Sequence, residues 1–212
     1  MPKNSTLTKG AETRRAIIRQ AAPIFNRKGY EGAAMSDLMD ATGLEKGGIY
    51  RHFKSKQQLA AEAFDYAWDV AFQLRIKDTE QIANSVDRLQ QWVRNFRERR
   101  EGLVPGGCPL LNTAIDADNG NSVLRHKAER ALDGWMDRLR KTVEQGKRAK
   151  EIRAELDAEE VAGTIISTLE GSLMISRLQR SERAIDQGCR HLARYLEAEV
   201  RATTSPVNTR RS

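Results

Sequence analysis

The residues best able to do chemistry lie between Met35 and Lys56, where small and hydrogen-bonding side chains are interspersed. Two adjacent glycines, Gly47 and Gly48, would let the backbone approach another molecule closely. The groups around them can bind phosphates or the edges of bases. They are Lys46, Tyr50, Arg51, His52, Lys54 and Lys56. This combination is typical of nucleic-acid binding rather than of catalysis.

Two short helices are predicted to carry these residues. Ser36 can cap the first, which ends at Thr42-Gly43, and the second runs from about Glu45 to Phe53. Two short helices joined by a tight turn with glycine form a helix-turn-helix. The second helix would be about 13 Å long at 1.5 Å per residue, and the major groove is about 12 Å wide. Amide groups near Ser36 favour one more phosphate contact.

The charge of the chain is concentrated where these helices are predicted. The net charge is +7 overall, with +6 in residues 1–60, −2 in residues 61–200 and +3 in residues 201–212. A basic module on a nearly neutral body is expected of a protein that binds a polyanion. An accidental asymmetry of a solvated surface is the alternative.

The rest of the chain has helical apolar spacing almost throughout and contains no internal repeat. Ser55 and Gln58 form a predicted capping box that opens a long helix reaching about Lys77. Other helices are predicted over residues 9–28, 84–100, 109–118, 122–145, 157–179 and 181–202. The sequence therefore predicts an all-α fold. Its parts are a helix-turn-helix domain over residues 9–56, a ligand-binding and dimerisation bundle over 57–202, and a disordered basic tail over 203–212.

Other kinds of chemistry find little support in the sequence. The three histidines are scattered, no His or Cys pair has zinc spacing, and residues 102–107 lack the ending of a phosphate loop. We therefore predict no enzyme activity, no cofactor and no metal. Two cysteines and the lack of a long apolar segment or leader predict a cytoplasmic protein with no membrane partner. A helical adaptor or small-molecule-binding protein without sequence-specific DNA binding is the alternative.

The block from about Thr13 to Phe64 resembles the N-terminal domain of the TetR family of bacterial transcriptional regulators. The matching positions are Ala22-Pro23-Ile24-Phe25, Gly29-Tyr30, Ser36-Asp37-Leu38, Gly43-Leu44, Gly47-Gly48-Ile49-Tyr50, His52-Phe53 and Lys56. The resemblance implies a homodimer with a three-helix DNA-binding head, a connecting fourth helix and a C-terminal bundle that binds a small-molecule inducer. It places Gly47, Gly48 and Tyr50 where a recognition helix meets double-stranded operator DNA, and it implies repression as the usual output.

The last two predicted helices would form a hairpin whose apolar faces need a partner. Pairing with a second copy gives a four-helix interface. Gly163, Gly171 and Ser172 are small enough to let helices approach. The alternative is that this hairpin completes the core of a monomer.

Ligand-binding candidates come from the apolar faces of the body. Aromatic and methionine side chains suit a flat or irregular apolar ligand, and the same stripe is typical of an ordinary core. The candidates are Trp92, Phe96, Trp135, Met136, Leu139, Met174 and Cys108. Cys108 precedes Pro109, which suits the first position of a helix, and a helix N-terminus favours a thiolate. Cys108 is therefore either a sensor of electrophiles or an inert residue of a turn.

Overall fold

The computed structural model describes residues 8–98, 104–118 and 120–203. All its regular elements in these ranges are helical, so the all-α prediction is confirmed. The helices are α1 Lys9–Gly32, α2 Met35–Thr42, α3 Lys46–Tyr50, α4 Lys56–Ile76, α5 Ser85–Glu98, α6 Pro109–Asp116, α7 Ser122–Arg148, α8 Ala158–Gln179 and α9 Arg183–Tyr195. Among the described helices, none is long and apolar enough to cross a membrane. The tail predicted to be disordered lies, from residue 204, outside the described residues.

Contacts divide the described residues into two compact units. The first contains residues 8–73, 104–118 and 120–133, and the second contains 74–98 and 134–203. Helices α4 and α7 each contribute to both units. The contacts thus group α6 and the start of α7 with the N-terminal helices, which a division after residue 56 did not anticipate. That residues 9–56 and 57–202 have separate functions stays a prediction.

The core of the first unit joins α1, α2, α3 and the start of α4. Its buried residues follow the helical spacing in the sequence, because each helix turns one apolar stripe inward. They are Ile17, Ala21, Leu38, Ile49, Phe53 and Leu59. Leu44, just after α2, also packs against this cluster. Ala41, near the end of α2, is exposed.

The helix ends show where local sequence signals were wrong. Helix α2 starts before Ser36, because Ala34 is its N-cap and the Ala34 N–H donates to Asp37 Oδ2 at 2.9 Å. Helix α7, predicted over residues 122–145, is capped by Asn121, whose Oδ1 accepts the Leu124 N–H at 3.1 Å, and it continues to Arg148. The predicted turn at Gly43 is confirmed by its left-handed backbone, with φ 62°.

Helix α3 is shorter than the predicted span of residues 45–53. Its regular part is five residues, about 7.5 Å long. Beyond Tyr50 the turn tightens, since the His52 N–H donates to the Ile49 carbonyl at 3.0 Å. The buried Phe53 then carries the chain back into the core, which ends the helix.

The second unit is built from α5, α8, α9 and the ends of α4 and α7. Helices α8 and α9 pack along each other, as predicted. The two helices are close together at Gly188, where an added Cβ would overlap the Ser172 side chain. Helix α9 is shorter than predicted, because a π-helical turn over Leu196–Val200 follows Tyr195.

Candidate functional site

The surface residues predicted to contact DNA lie on α2, on α3, in the segment after α3 and at the first residue of α4. Lys46 and Tyr50 are one helical turn apart on α3, and the buried Ile49 beside them anchors the helix in the core. Ser36, Lys46, Gly47, Tyr50, Arg51 and Lys54 are exposed, and Gly48, His52 and Lys56 are half-buried. The structure thus brings together donors that suit a polyanion.

The two glycines of α3 are not required by the fold. Both have ordinary negative φ, unlike Gly43. An added Cβ on Gly47 would meet no atom within 4 Å, and one on Gly48 would make an ordinary 3.4 Å contact with Leu44 Cβ. Each glycine costs about 1 kcal/mol relative to alanine in a helix. Packing within the described residues therefore does not account for Gly47.

The basic residues at the edges of this surface are held in place. Lys28 Nζ lies 2.6 Å from Asp37 Oδ1, and this hydrogen bond, with one from the Ala34 N–H, holds the pKa of Asp37 below its usual range. Lys56 Nζ lies 4.5 Å from the centroid of the Tyr30 ring, a cation–π distance. These contacts fix α1 against the starts of α2 and α4.

Helix α4 begins with a modified capping box, directly after the predicted DNA-contacting residues. The Gln58 N–H donates to Ser55 Oγ at 3.1 Å, as predicted. The Gln58 side chain, however, accepts from the N–H of Lys54 at 2.7 Å, one residue before the predicted donor. Lys54 is therefore held directly before α4.

Arg14 is a positioning residue that sequence reasoning missed. Its Nη1 lies 2.5 Å from Glu62 Oε2, and its guanidinium carbon lies 4.6 Å from the Phe53 ring centroid. The Arg14 hydrogen bond lowers the pKa of Glu62 below its ordinary value. Arg14 thus links α1 to α4 and to Phe53, in the segment after α3. Because 48 residues separate the pair, local spacing gave no sign of it.

A second polar network joins α1 to the glycine-rich segment before α6. Asn26, 8% exposed, donates its side-chain amide towards the carbonyls of Val104, Pro105 and Gly107 at 3.2–3.3 Å. Gly106 has φ 127°, and an added Cβ there would lie 2.8 Å from the Asn26 carbonyl oxygen. Glycine is therefore needed at this position for both conformation and space.

Asp116, at the end of α6, makes the neighbouring contact with α1. Its Oδ2 accepts the Tyr30 N–H at 2.7 Å. Gly29 has a positive φ of 71°, and an added Cβ would overlap the Asp116 carboxylate. The final turn of α1 continues to Gly32, four residues past the predicted end at Lys28.

Most of the predicted ligand residues lie inside the second unit. Trp92, Phe96, Trp135 and Leu139 are buried and Met136 is half-buried. Met174 differs from these residues, because it is 44% exposed on α8. Cys108 is buried in the first unit, where it is the N-cap of α6 with Pro109 at the first helical position, as predicted.

A buried ion pair, which sequence reasoning also missed, lies among the aromatic residues of the second unit. Arg75 Nη2 is 3.3 Å from Glu170 Oε1, and both residues are at most 9% exposed. The Arg75 guanidinium carbon lies 4.8 Å from the Phe96 ring centroid and 4.3 Å from that of Trp135. The two rings are stacked with centroids 6.1 Å apart.

Comparison with known proteins shows which family this helix-turn-helix protein belongs to. Residues 17–63 match the model described as bacterial regulatory proteins, tetR family. Residues 85–192, half of the chain, match the tetracyclin repressor-like C-terminal domain. The chain belongs to the TetR family. The resemblance inferred from residues 13–64 is thereby confirmed and extended to the C-terminal half.

Individual relatives agree with this membership. A TetR transcriptional regulator from Chloroflexus aurantiacus is 42% identical, with a TM-score of 0.88 over 93% of this chain and 100% of that one. A TetR-family regulator from Cytophaga hutchinsonii is 33% identical, with a TM-score of 0.87 over 94% and 100%. The HTH-type transcriptional repressor DhaR of Mycobacterium sp. (strain GP1) is 24% identical over 82% of this chain and 87% of its own length.

Family membership confirms the predicted class of function. TetR-family proteins are ligand-responsive, DNA-binding transcriptional regulators and not enzymes. The chain is such a regulator. The individual DNA-contacting and ligand-contacting residues stay predictions.

Proposed function

We propose that α3 is the recognition helix and that it enters the major groove of an operator with Gly47 facing the duplex. The observation that carries this proposal is the open space at the Gly47 Cβ position on an exposed helix. Lys46 and Arg51 would bind phosphate or guanine, and Tyr50 would touch phosphate or base. His52, Lys54 and Lys56 flank the helix, and amides near Ser36 take a further phosphate.

We propose that the working form is a homodimer that reads a roughly palindromic operator. One face of α8 supports this: Gly163, Ser167, Gly171, Met174 and Leu178 lie within about 80° of one another around the helix. Leu178 is 78% exposed, and Gly163 and Gly171 have no atom within 4 Å of an added Cβ. A second α8–α9 hairpin would cover this face and place two recognition helices about one turn of DNA apart.

We propose that the protein represses transcription. An inducer would relieve the repression by favouring a conformation in which the two DNA-binding heads no longer match the spacing of the operator half-sites. Only a ligand with different affinities for the two states can shift them, typically by about 1–3 kcal/mol. The Asn26 network and the Asp116 contact with Tyr30 support α6 as the helix that transmits the conformational change to α1. A regulator of this kind acts where the DNA is, in the cytoplasm.

The inducer is proposed to be a small molecule held by the buried aromatic residues of the second unit, or an electrophile that modifies Cys108. The position of Cys108 at the N-cap of α6 supports the second route. N-ethylmaleimide should then release DNA from the wild type and from Cys189→Ser but not from Cys108→Ser. An equal response of all three proteins would exclude the electrophile route.

The central proposal is tested by selecting bound sequences from random duplex DNA with the full chain. The recovered site is then footprinted. We expect two related half-sites and an affinity that falls steeply with salt, since phosphate contacts release counterions. Protection of a single half-site would contradict the dimeric arrangement. Failure to enrich any sequence would contradict sequence-specific binding and favour the adaptor alternative.

A further inference from the structure

The buried Arg75–Glu170 pair is an unusual feature for the interior of a helical unit. Moving two charges out of water costs several kcal/mol for each ion, and the attraction between them often does not recover that cost. At 3.3 Å the Arg75–Glu170 contact is also longer than the 2.7–2.9 Å usual for charge-assisted hydrogen bonds. A buried ion pair is weak evidence for stability, so its place among aromatic rings points to a further role.

The surroundings of the Arg75 guanidinium are those of a cation site. The Phe96 and Trp135 rings lie within 5 Å of its central carbon, and the Glu170 carboxylate lies beside it. The faces of aromatic rings carry negative electrostatic potential, so they attract cations and offer no comparable attraction to anions. Two rings and one carboxylate together form a receptor for a compact or planar positive group.

The members of this cluster differ in how readily they can leave it. Glu170 has a shorter side chain in the middle of the 22-residue α8, Trp135 lies in the interior of α7, and Phe96 lies in the last turn of α5. Arg75 has a long, flexible side chain in the last turn of α4. That helix end is held by Asn95, whose side-chain amide donates to the Arg75 carbonyl at 2.8 Å. A ligand can therefore displace the guanidinium more easily than the carboxylate.

We propose that Phe96, Trp135 and Glu170 form the receptor for an organic cation, such as an amidinium or an alkylammonium, and that Arg75 is an internal cation which this ligand displaces. The exchange keeps the charge of the interior balanced, because one positive group replaces another beside Glu170. An anion that replaced Glu170 at Arg75 would instead leave the carboxylate buried without its cation.

This inference rests on the proposed function for its regulatory consequence. Helix α4 starts at Lys56, directly behind the recognition segment, and has Arg75 in its last turn. Displacement of Arg75 removes an interaction that fixes this end of α4 to α8. The cation would then act as the inducer by favouring a state in which α4 has shifted.

Three probes of the same shape and different charge test the ligand class: benzamidine, which is a cation, neutral benzamide, and benzoate, which is an anion. Each is titrated into the full chain without DNA, by calorimetry and by tryptophan fluorescence. The proteins are the wild type, Arg75→Ala, Arg75→Ala/Glu170→Gln, and Arg94→Ala as a control that removes an exposed arginine of α5.

We expect benzamidine to bind the wild type and Arg94→Ala equally, and to bind Arg75→Ala about tenfold more tightly because its internal competitor is gone. Adding Glu170→Gln should reverse that gain, and benzamide and benzoate should bind at least about tenfold more weakly than benzamidine. If Arg75→Ala does not fold alone, benzamidine but not benzamide should restore its helical circular dichroism and raise its melting midpoint.

Other results overturn the inference. Tighter binding of benzoate than of benzamidine would indicate that Arg75 binds an anionic ligand instead. Equal benzamidine affinity of the wild type and Arg75→Ala, or no binding and no rescue in any variant, would leave the receptor without support. DNA binding is measured separately on the selected duplex, so a wild type that binds the duplex but not benzamidine contradicts this inference alone. A protein that binds benzamidine but no duplex contradicts the proposed function instead.

Discussion

Asn112 of α6 donates its side-chain amide to both oxygens of Asn26 in α1, at 2.9 Å to the backbone oxygen and 3.0 Å to Oδ1. The same amide donates to the Gly106 carbonyl at 2.8 Å. Asn26 in turn holds the carbonyls on either side of Gly106. The two asparagines therefore lock the glycine-rich segment and α6 onto the helix that supports the DNA-binding surface.

Replacing Asn112 with leucine should destabilise the first unit, because it leaves oxygens of the buried Asn26 without a donor. The expected loss is about 1–3 kcal/mol in the free energy of unfolding, measured with urea. Ala114→Ser, at an exposed position of the same helix, is the control and should change little. If both variants unfold at the wild-type urea concentration, the network does not stabilise α6 against α1.

Replacing Gly47 with alanine should separate DNA binding from stability. The added methyl group meets no atom of the chain and improves helix propensity, so the free energy of unfolding should hold or rise by up to about 1 kcal/mol. Affinity for the selected operator should fall, because the methyl group would stand between the backbone and the duplex. Gly10→Ala, in α1 with equally open surroundings, is the control and should leave DNA affinity unchanged. Wild-type affinity of Gly47→Ala would contradict the predicted approach.

Lys46→Ala and Tyr50→Ala should weaken operator binding while leaving the oligomeric state intact. Because Lys46→Ala removes a phosphate-binding cation from each protomer, it should also lower the salt dependence of the affinity, by about one counterion for each phosphate that is no longer bound. The salt slope is measured by fluorescence anisotropy on a labelled duplex. Lys141→Ala, which removes an exposed cation of α7, should leave that slope unchanged. Normal binding by both Lys46→Ala and Tyr50→Ala would show that α3 is not the reading helix.

Local spacing was enough to predict the helical stripes and the main turn of the DNA-binding unit. Ile17, Leu38 and Ile49 are buried on the apolar stripes of their helices, because a repeat near 3.6 residues fixes which face turns inward. Gly43 was recognisable because few other residues adopt its left-handed backbone. The end of α3 was not predictable in this way, since the packing of Phe53 into the core decides it.

Polar pairs between distant helices gave no local signal. Asn26 and Asn112 are 86 residues apart, and Arg75 and Glu170 are 95 residues apart. In the sequence each is an ordinary polar residue of an amphipathic helix. Their meeting depends on how helices pack in three dimensions, and hydrophobic spacing does not contain that information. The exposure of Met174 has the same origin, since spacing alone does not tell an inner apolar face of α8 from one left for a partner.

The Arg14–Glu62 pair should make stability depend on pH in the acid range. The Arg14 hydrogen bond lowers the folded-state pKa of Glu62 below its ordinary value of 4.5. The pair therefore stabilises the protein above that value, and the stabilisation is lost as the pH falls through the lower, folded-state pKa. The difference in unfolding free energy between the wild type and Glu62→Gln should be constant above about pH 6 and shrink below about pH 4.5. A difference that stays the same at low pH would contradict this.

Leu178→Glu should convert the proposed dimer to a monomer, because it places a charge on the proposed α8 face. In the described chain this side chain is 78% exposed, so the substitution removes no interior packing and should leave the circular dichroism unchanged. The mass is measured by light scattering after size-exclusion chromatography. Ile115→Glu is the matched control, since Ile115 is 68% exposed on α6 and should not affect assembly. Because a monomer presents a single recognition helix, Leu178→Glu should also protect only one half-site of the operator, and at higher protein concentration. A dimeric Leu178→Glu protein would mean that another surface joins the two copies.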